Sequence, residues 1–412
     1  MTQDTNINQI SITDKLNCKL FEIYEILKEQ HYSDNLGVLT GLTGLALFHF
    51  YYSRFANNDD SSEIGVEIIT ECFEKINQNY ELPTYCSGIA GFGWALEHLY
   101  TENFIDFNND EVLSDLDSYL FEKQLVESSI GQFDFLHGSI GYGYYFLARY
   151  KNTSSKELKE RYKTNILELI SSIKEFAIEF DNKIKWESIL SIETQKKGYN
   201  FSLSHGIPSI INFLSRLYSF SDFRSVVSPL LTKSISYILH HKNENSNEHS
   251  LFPNFECEPG NRNQHSRLAW CYGDLGIGIT LFQTARILQD HDLKKTAIDI
   301  LKHSAQRVQQ QNTLVKDSGI CHGAFGIVKV FNRIYKETNI PLFKEAAEHW
   351  LNVGLKMSFH EDGHAGYKKW VGGKGIWENE LSLLEGISGI GLVIIDYLTD
   401  SEFNWDECLM IS

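Results

Sequence analysis

Positive charge is what this chain has least to spare. Its 37 Lys and Arg face 54 Asp and Glu, a formal net charge of −17 over 412 residues. Nucleic acid is excluded as a partner, because phosphate recognition needs a basic face. No polybasic stretch offers an anchor to an anionic membrane either. The opening Met1-Thr-Gln-Asp-Thr-Asn6 has neither a charged start nor an apolar run, so no signal peptide is read and a cytoplasmic protein is expected. The one stretch resembling a membrane span, Leu36 to Tyr52, is short and Gly-rich and reads as a core helix, so direct membrane insertion is not expected. Seven scattered cysteines, an odd number, make no disulfide framework and point to a reducing compartment.

What the chain does have is a repeat. Seven segments share a frame of one Gly followed by a second three residues on, beginning at Gly41, Gly88, Gly138, Gly206, Gly273, Gly323 and Gly386; only Ser209 breaks the second Gly. Each leads into an apolar run of helical character. A frame recurring at roughly fifty to seventy residues is the signature of one supersecondary unit stacked many times. The residue before the first Gly is polar in every copy: Thr40, Ser87, His137, His205, Tyr272, His322 and Glu385. One position earlier stand Leu39, Cys86, Leu136, Ser204, Cys271, Cys321 and Leu384.

Between the copies lie amphipathic stretches that read as wetter helices, among them Ser61 to Asn79, Glu111 to Val126, Lys156 to Phe180, Lys294 to Gln310 and Leu342 to Met357. The residues before Asp34 read as a lead-in helix. The expected fold is therefore all-α, one domain over 1–412, with each repeat an outer helix followed by an inner one. Gly at each inner-helix start removes bulk where helix ends crowd together and permits unusual backbone conformations. This favours a closed α/α toroid over an open solenoid, with equivalent residues converging on one mouth. Two longer intervals hold an inserted extension, approximately 183–203 and 242–267, where Lys183 to Leu190 and Leu251 to Gly260 suggest short strands and loops. Lys242 to His249 reads as a solvated loop. Lys368 to Glu378 reads as a further loop on the mouth face, its tryptophans serving either loop packing or peptide contact.

Cys271, Cys321 and His322 form a two-thiol, one-imidazole set that suits a catalytic zinc with an open fourth position. Both thiols are expected at helix N-termini, where the helix dipole favours the thiolate. The spacing is not that of a zinc finger, and the pattern alone leaves a metal site and a set of buried helix-start residues both open. Cys86, in the same frame, reads as a small buried hydrophobe. Around the set stand His205, a natural acid or base near neutral pH, Asp134, Tyr272, and Arg267, one turn before Cys271 if the backbone there is helical.

Arg267-Leu-Ala-Trp-Cys-Tyr-Gly-Asp-Leu-Gly276, Ser204-His-Gly206 and Cys321-His-Gly323 resemble the hallmark motifs of the LanC-type lanthionine cyclases, and the resemblance runs through all seven repeats. It implies a toroid of seven inner and seven outer helices with a small extension over one face. It also implies one Zn2+ per chain on Cys271, Cys321 and His322, with Asp134, His205, Arg267 and Tyr272 as the catalytic group. The activity implied is intramolecular addition of peptide Cys thiols to dehydroalanine or dehydrobutyrine in a dehydrated lantibiotic precursor with its leader, forming thioether rings. A dehydratase and an ABC transporter at the inner membrane face are the implied partners. Ser209 and Leu275 depart from the family pattern away from this chemistry. Two other classes stay in view. One is a carboxylate enzyme using Asp134 and Glu385, as in inverting glycosidases, which leaves the cysteines unexplained. The other is a non-catalytic zinc scaffold that holds a peptide or glutathione thiol.

Overall fold

The computed structural model describes residues 11–191, 193–243, 249–258, 261–262, 265–401 and 403–412. Its helices, in chain order, are α1 (Ile12–Glu29), α2 (Leu42–Ala56), α3 (Asp59–Asn77), α4 (Ile89–Thr101), α5 (Asn109–Val112), α6 (Ser114–Ser129), α7 (Ser139–Asn152), α8 (Lys156–Glu175), α9 (Ile207–Tyr218), α10 (Ser221–His240), α11 (Asp274–Leu288), α12 (His291–Ala305), α13 (Gln310–Thr313), α14 (Ala324–Thr338), α15 (Pro341–Lys356) and α16 (Ile387–Leu398). Its strands are β1 (Ile178–Phe180), β2 (Lys183–Lys185), β3 (Ser188–Ser191), β4 (Lys196–Asn200), β5 (Phe255–Glu258), β6 (Asn261–Arg262), β7 (Lys369–Val371) and β8 (Ile376–Glu378).

The inner helices α2, α4, α7, α9, α11, α14 and α16 all begin directly after a frame glycine. They are apolar on every face because they are buried on every face: in α2 every residue from Leu42 to Tyr52 is buried. Each packs against the next, and α16 packs on both α14 and α2, which closes the ring. The outer layer is α1, α3, α6, α8, α10, α12 and α15. Among the described residues, seven inner and seven outer helices are thus present, as the resemblance implies.

The pairing differs from the sequence reading in one respect. Helix hairpins form between an inner helix and the outer helix that follows it, as in α2–α3, α9–α10, α11–α12 and α14–α15. The reason is connection length: only residues 57–58, 219–220, 289–290 and 339–340 intervene, and Asn57, Gln289 and Asn339 take the left-handed conformation that turns the chain tightly. Outer-to-inner connections are long and build the mouth. The apparent lead-in helix α1 therefore packs on α16 as the seventh outer helix.

The frame glycines also act differently from expectation. Six of the seven have extended backbones open to any residue; only Gly273 has a positive φ, +85°. What the others share is close approach. A Cβ on Gly88 would run into the carbonyl of Leu82, and one on Gly206 into that of Asn200.

The mouth is laced by main-chain hydrogen bonds between successive pre-helix turns. Leu384 donates to Leu39 (2.8 Å), Leu39 to Cys86 (3.1 Å), Cys86 to Leu136 (2.9 Å), Leu203 to Cys271 (2.9 Å), Cys271 to Cys321 (3.2 Å) and Cys321 to Leu384 (2.9 Å). Under the mouth, residues 403–412 fill the barrel axis. Tyr85 Oη, Tyr144 Oη, Asn212 Nδ2, Trp270 Nε1 and Gln283 Nε2 donate to the carbonyls of Cys408, Glu407, Met410, Leu409 and Ile411 respectively, and buried Lys329 lies 3.0 Å from Asp406. Every donor sits on, or just before, an inner helix. A cavity of about 670 Å3 at the C-terminal ends of these helices, lined by Trp94, Tyr144, Arg216 and Glu407 among others, lies at the opposite end from the mouth.

Both inserted segments contribute to a four-stranded sheet of order β3-β4-β5-β6. Residues 244–248, 259–260 and 263–264 of the second segment, including most of the expected solvated loop, lie outside the described residues. Three further expectations are corrected. The helix begun at Lys156 ends at Glu175, and residues 178–180 pair with β2 instead. The backbone from Arg267 to Cys271 is not helical, because its amides are taken by other turns, Leu268 donating to Thr313 and Cys271 to Cys321. Lys368 to Glu378 is a hairpin with Trp370 opposite Trp377, not an irregular loop.

Candidate metal centre

Cys271 and Cys321 stand two residues before the glycines that open α11 and α14, so the thiols lie just outside the helices rather than in their first turns. Gly273 sets this up. Its positive φ turns the chain into α11, and a Cβ there would meet Ser266 Oγ at 2.5 Å and the Arg267 carbonyl at 2.6 Å. The next residue, Asp274, is fully buried and accepts main-chain hydrogen bonds from Leu251 and Phe252, which pins the second inserted segment beside the Cys271 turn.

The ligand atoms of Cys271, Cys321 and His322 all lie within 4.8 Å of one another, and among the described residues this is the one such cluster of metal-binding side chains. A hydrogen bond from Cys321, with His322 and Arg267 nearby, holds the Cys271 thiol well below the usual range despite its burial. The same contact pushes Cys321 up. Burial lowers His322, but Asp317 and Cys271 outweigh it and push the imidazole up to about 10. Two soft sulfurs and one imidazole, sharing protons that a cation can displace, fit zinc in chemistry and in number.

On the same rim, His205 Nδ1 lies 2.6 Å from Asp134 Oδ2. Burial lowers the imidazole, and the facing carboxylate more than reverses it, leaving His205 above its ordinary value. Burial raises Asp134, and His205 and His137 overcome that to hold the carboxyl below the usual range. Asp134 Oδ1 also accepts the His137 amide at 2.8 Å. The Tyr272 ring centroid is 6.3 Å from that of His205; burial raises its phenol, and hydrogen bonds from Asn200 and Ser202 offset part of this.

The structure therefore brings all seven sequence-derived residues to one rim, with Arg267 placed by its electrostatic reach to Cys271 rather than by a helical turn. It adds Asp317, which the sequence reading missed. This carboxylate is 3 % exposed, and its Oδ2 is 3.5 Å from His322 Nε2. A signal existed: six residues before the frame glycine stand Asn35, Leu82, Gln132, Asn200, Arg267, Asp317 and Glu380, polar in all copies but one.

Compared with known proteins, residues 32–410 match the lanthionine synthetase C-like protein family. The chain belongs to that family. This lanthionine synthetase C-like chain is similar to the solved structure of nisin cyclase, with a TM-score of 0.67 at 20% identity, covering 97% of each chain. Zebrafish (Danio rerio) glutathione S-transferase LANCL1 is 23% identical over 334 residues, 80% of this chain and 77% of that protein.

Proposed function

We propose that this chain is a zinc-dependent lanthionine cyclase that joins cysteine thiols of a dehydrated precursor peptide to dehydroalanine or dehydrobutyrine residues of the same peptide. The observation that carries it is the convergence, on one rim, of the Cys271, Cys321 and His322 donor set with the Asp134–His205 pair. Zinc held by these three donors would keep a peptide thiol in its nucleophilic thiolate form. The peptide sulfur adds to the β-carbon, a C–S bond forms, and the alkene electrons move to the neighbouring carbonyl as an enolate. His205, its Nδ1 fixed by Asp134, offers Nε2 to protonate the α-carbon. Arg267 favours the thiolate form of Cys271, and Tyr272 shapes the space beside His205. A dehydratase that makes the substrate and a transporter that exports the product are the partners this reaction calls for.

A second reading is a toroid that only holds a thiol, such as that of glutathione, but a scaffold has no need of the Asp134–His205 pair. The test is zinc content together with loss of free thiol in a dehydrated peptide. About one zinc per chain and thiol loss faster than without protein are expected. Zinc without catalysed thiol loss leaves the scaffold, and a folded protein that refuses added zinc ends both.

A further inference from the structure

Five of the seven tryptophans, Trp94, Trp186, Trp270, Trp350 and Trp405, are buried to 3 % exposure or less. Trp370 and Trp377 are not. They face each other across β7–β8 with ring centroids 5.1 Å apart. Tilted ring contacts continue outward from Trp377 to His360 (4.7 Å) and from His360 to Phe359 (4.3 Å), a residue 65 % exposed; Ile376, next to Trp377 in the chain, is 43 % exposed. At the inner end Lys316 Nζ lies 4.6 Å from the Trp370 ring centroid.

The hairpin is fastened to the mouth at two points. The Trp370 amide donates to Asp317 Oδ2 at 3.0 Å, and that oxygen is the one facing His322. Lys369 Nζ reaches Glu380 at 2.6 Å and Glu385, the mouth residue of the seventh repeat, at 3.5 Å. The aromatic ladder thus starts one carboxylate away from a candidate metal ligand and ends in solvent. Trp370, Trp377 and His360 are partly exposed and Phe359 is exposed, so the row leaves apolar area in water, which marks an interaction surface. Their flat faces suit an extended chain and the planar, conjugated dehydro residues of a dehydrated peptide.

We infer that β7–β8 is the docking wall for the substrate peptide, with the segment flanking the reacting cysteine lying along Trp370, Trp377, His360 and Phe359. The identity of the occupant rests on the cyclase reading. The probe is a short synthetic linear peptide carrying one dehydroalanine with serine in place of its cysteine, so that it binds without reacting. In the zinc-loaded protein, acrylamide quenching reports chiefly on Trp370 and Trp377, and saturating peptide should shield them. Trp370→Ala should raise the peptide's Kd about tenfold or more, as loss of an interface tryptophan does, with zinc stoichiometry unchanged. Ile376→Asp, at an exposed site, should weaken binding severalfold and carries the test if Trp370→Ala does not fold. Unchanged Kd in the folded, zinc-bearing variants, or no shielding by peptide, overturns the docking wall. A wild-type protein that binds the peptide but forms no thioether with its cysteine-bearing counterpart overturns the cyclase reading and leaves the docking wall standing.

Discussion

Cys86 and Cys271 occupy the same place in the repeat, two residues before a frame glycine, and both donate their amide to the next turn along the mouth, Cys86 to Leu136 and Cys271 to Cys321. Yet burial pushes the Cys86 thiol up to about 11, while Cys271 is held far below the usual range. The main-chain hydrogen bonds along the mouth are alike, although only the Cys271 turn ends in a positive-φ glycine, and the thiols differ in what the neighbouring copy presents. Beyond Cys86 stands Leu136, and the hydroxyls near its sulfur come from the preceding turn, Thr40 at 3.7 Å, and from its own turn, Ser87. Beyond Cys271 stand Cys321 and His322. A cysteine in this frame becomes a candidate metal ligand when the next turn supplies a second thiol and an imidazole.

The largest effect should come from removing one member of the working set. Cys321→Ala is expected to lose zinc and all catalysed thiol loss, measured by metal analysis and a free-thiol assay, whereas Cys86→Ala should keep about one zinc and cost stability of about 1 kcal/mol. Asp134→Asn should keep zinc and lower kcat by roughly 10²-fold, the scale of a lost general acid–base function. Its pH profile should move too. Asp134 holds His205 above its ordinary value, so the acid form is present below that raised value and lost as pH climbs through it. Without the carboxylate the alkaline limb shifts to lower pH, and an unmoved limb would assign the proton to another group. Asp317→Asn should weaken zinc binding by about 10- to 100-fold in chelator competition, the range for losing a carboxylate behind a metal-bound histidine. The subtlest change would sharpen the comparison most. Leu136→Cys places a thiol beside Cys86 and His137, completing a second two-thiol, one-imidazole set, and the zinc content should rise from about one to about two per chain.

The ring was legible in the sequence because its restraint is local: each inner helix needs a small residue where its turn meets the previous carbonyl, and that requirement recurs as glycine. The cluster of Cys271, Cys321 and His322 was legible for the same reason, since its members stand in register with those glycines. What the sequence hides depends on contacts across the mouth. Nothing in the spacing of Asp134 and His205, 71 positions apart, shows that their side chains meet at 2.6 Å. They meet at the one step of the mouth, from the third turn to the fourth, where no main-chain bond joins the turns among the described residues, so side chains close the ring there. Asp317 escaped because its column mixes amides, acids and an arginine, which looks like ordinary loop polarity. The hairpin escaped because strands of three residues leave too short a pattern of alternation to stand out from a Gly-rich loop.

The packed segment 403–412 makes the barrel a cup rather than a tube. Tyr85 and Trp270, next in sequence to the two contrasted cysteines, both hold its carbonyls, so the floor lies directly beneath the rim. No strand of peptide can be threaded through such a vessel. Under the proposed cyclase function, a peptide with several rings to close would have to withdraw and re-enter by a single doorway, and the order of closure would be set by which free loop of the peptide reaches the rim first, not by a fixed direction of travel.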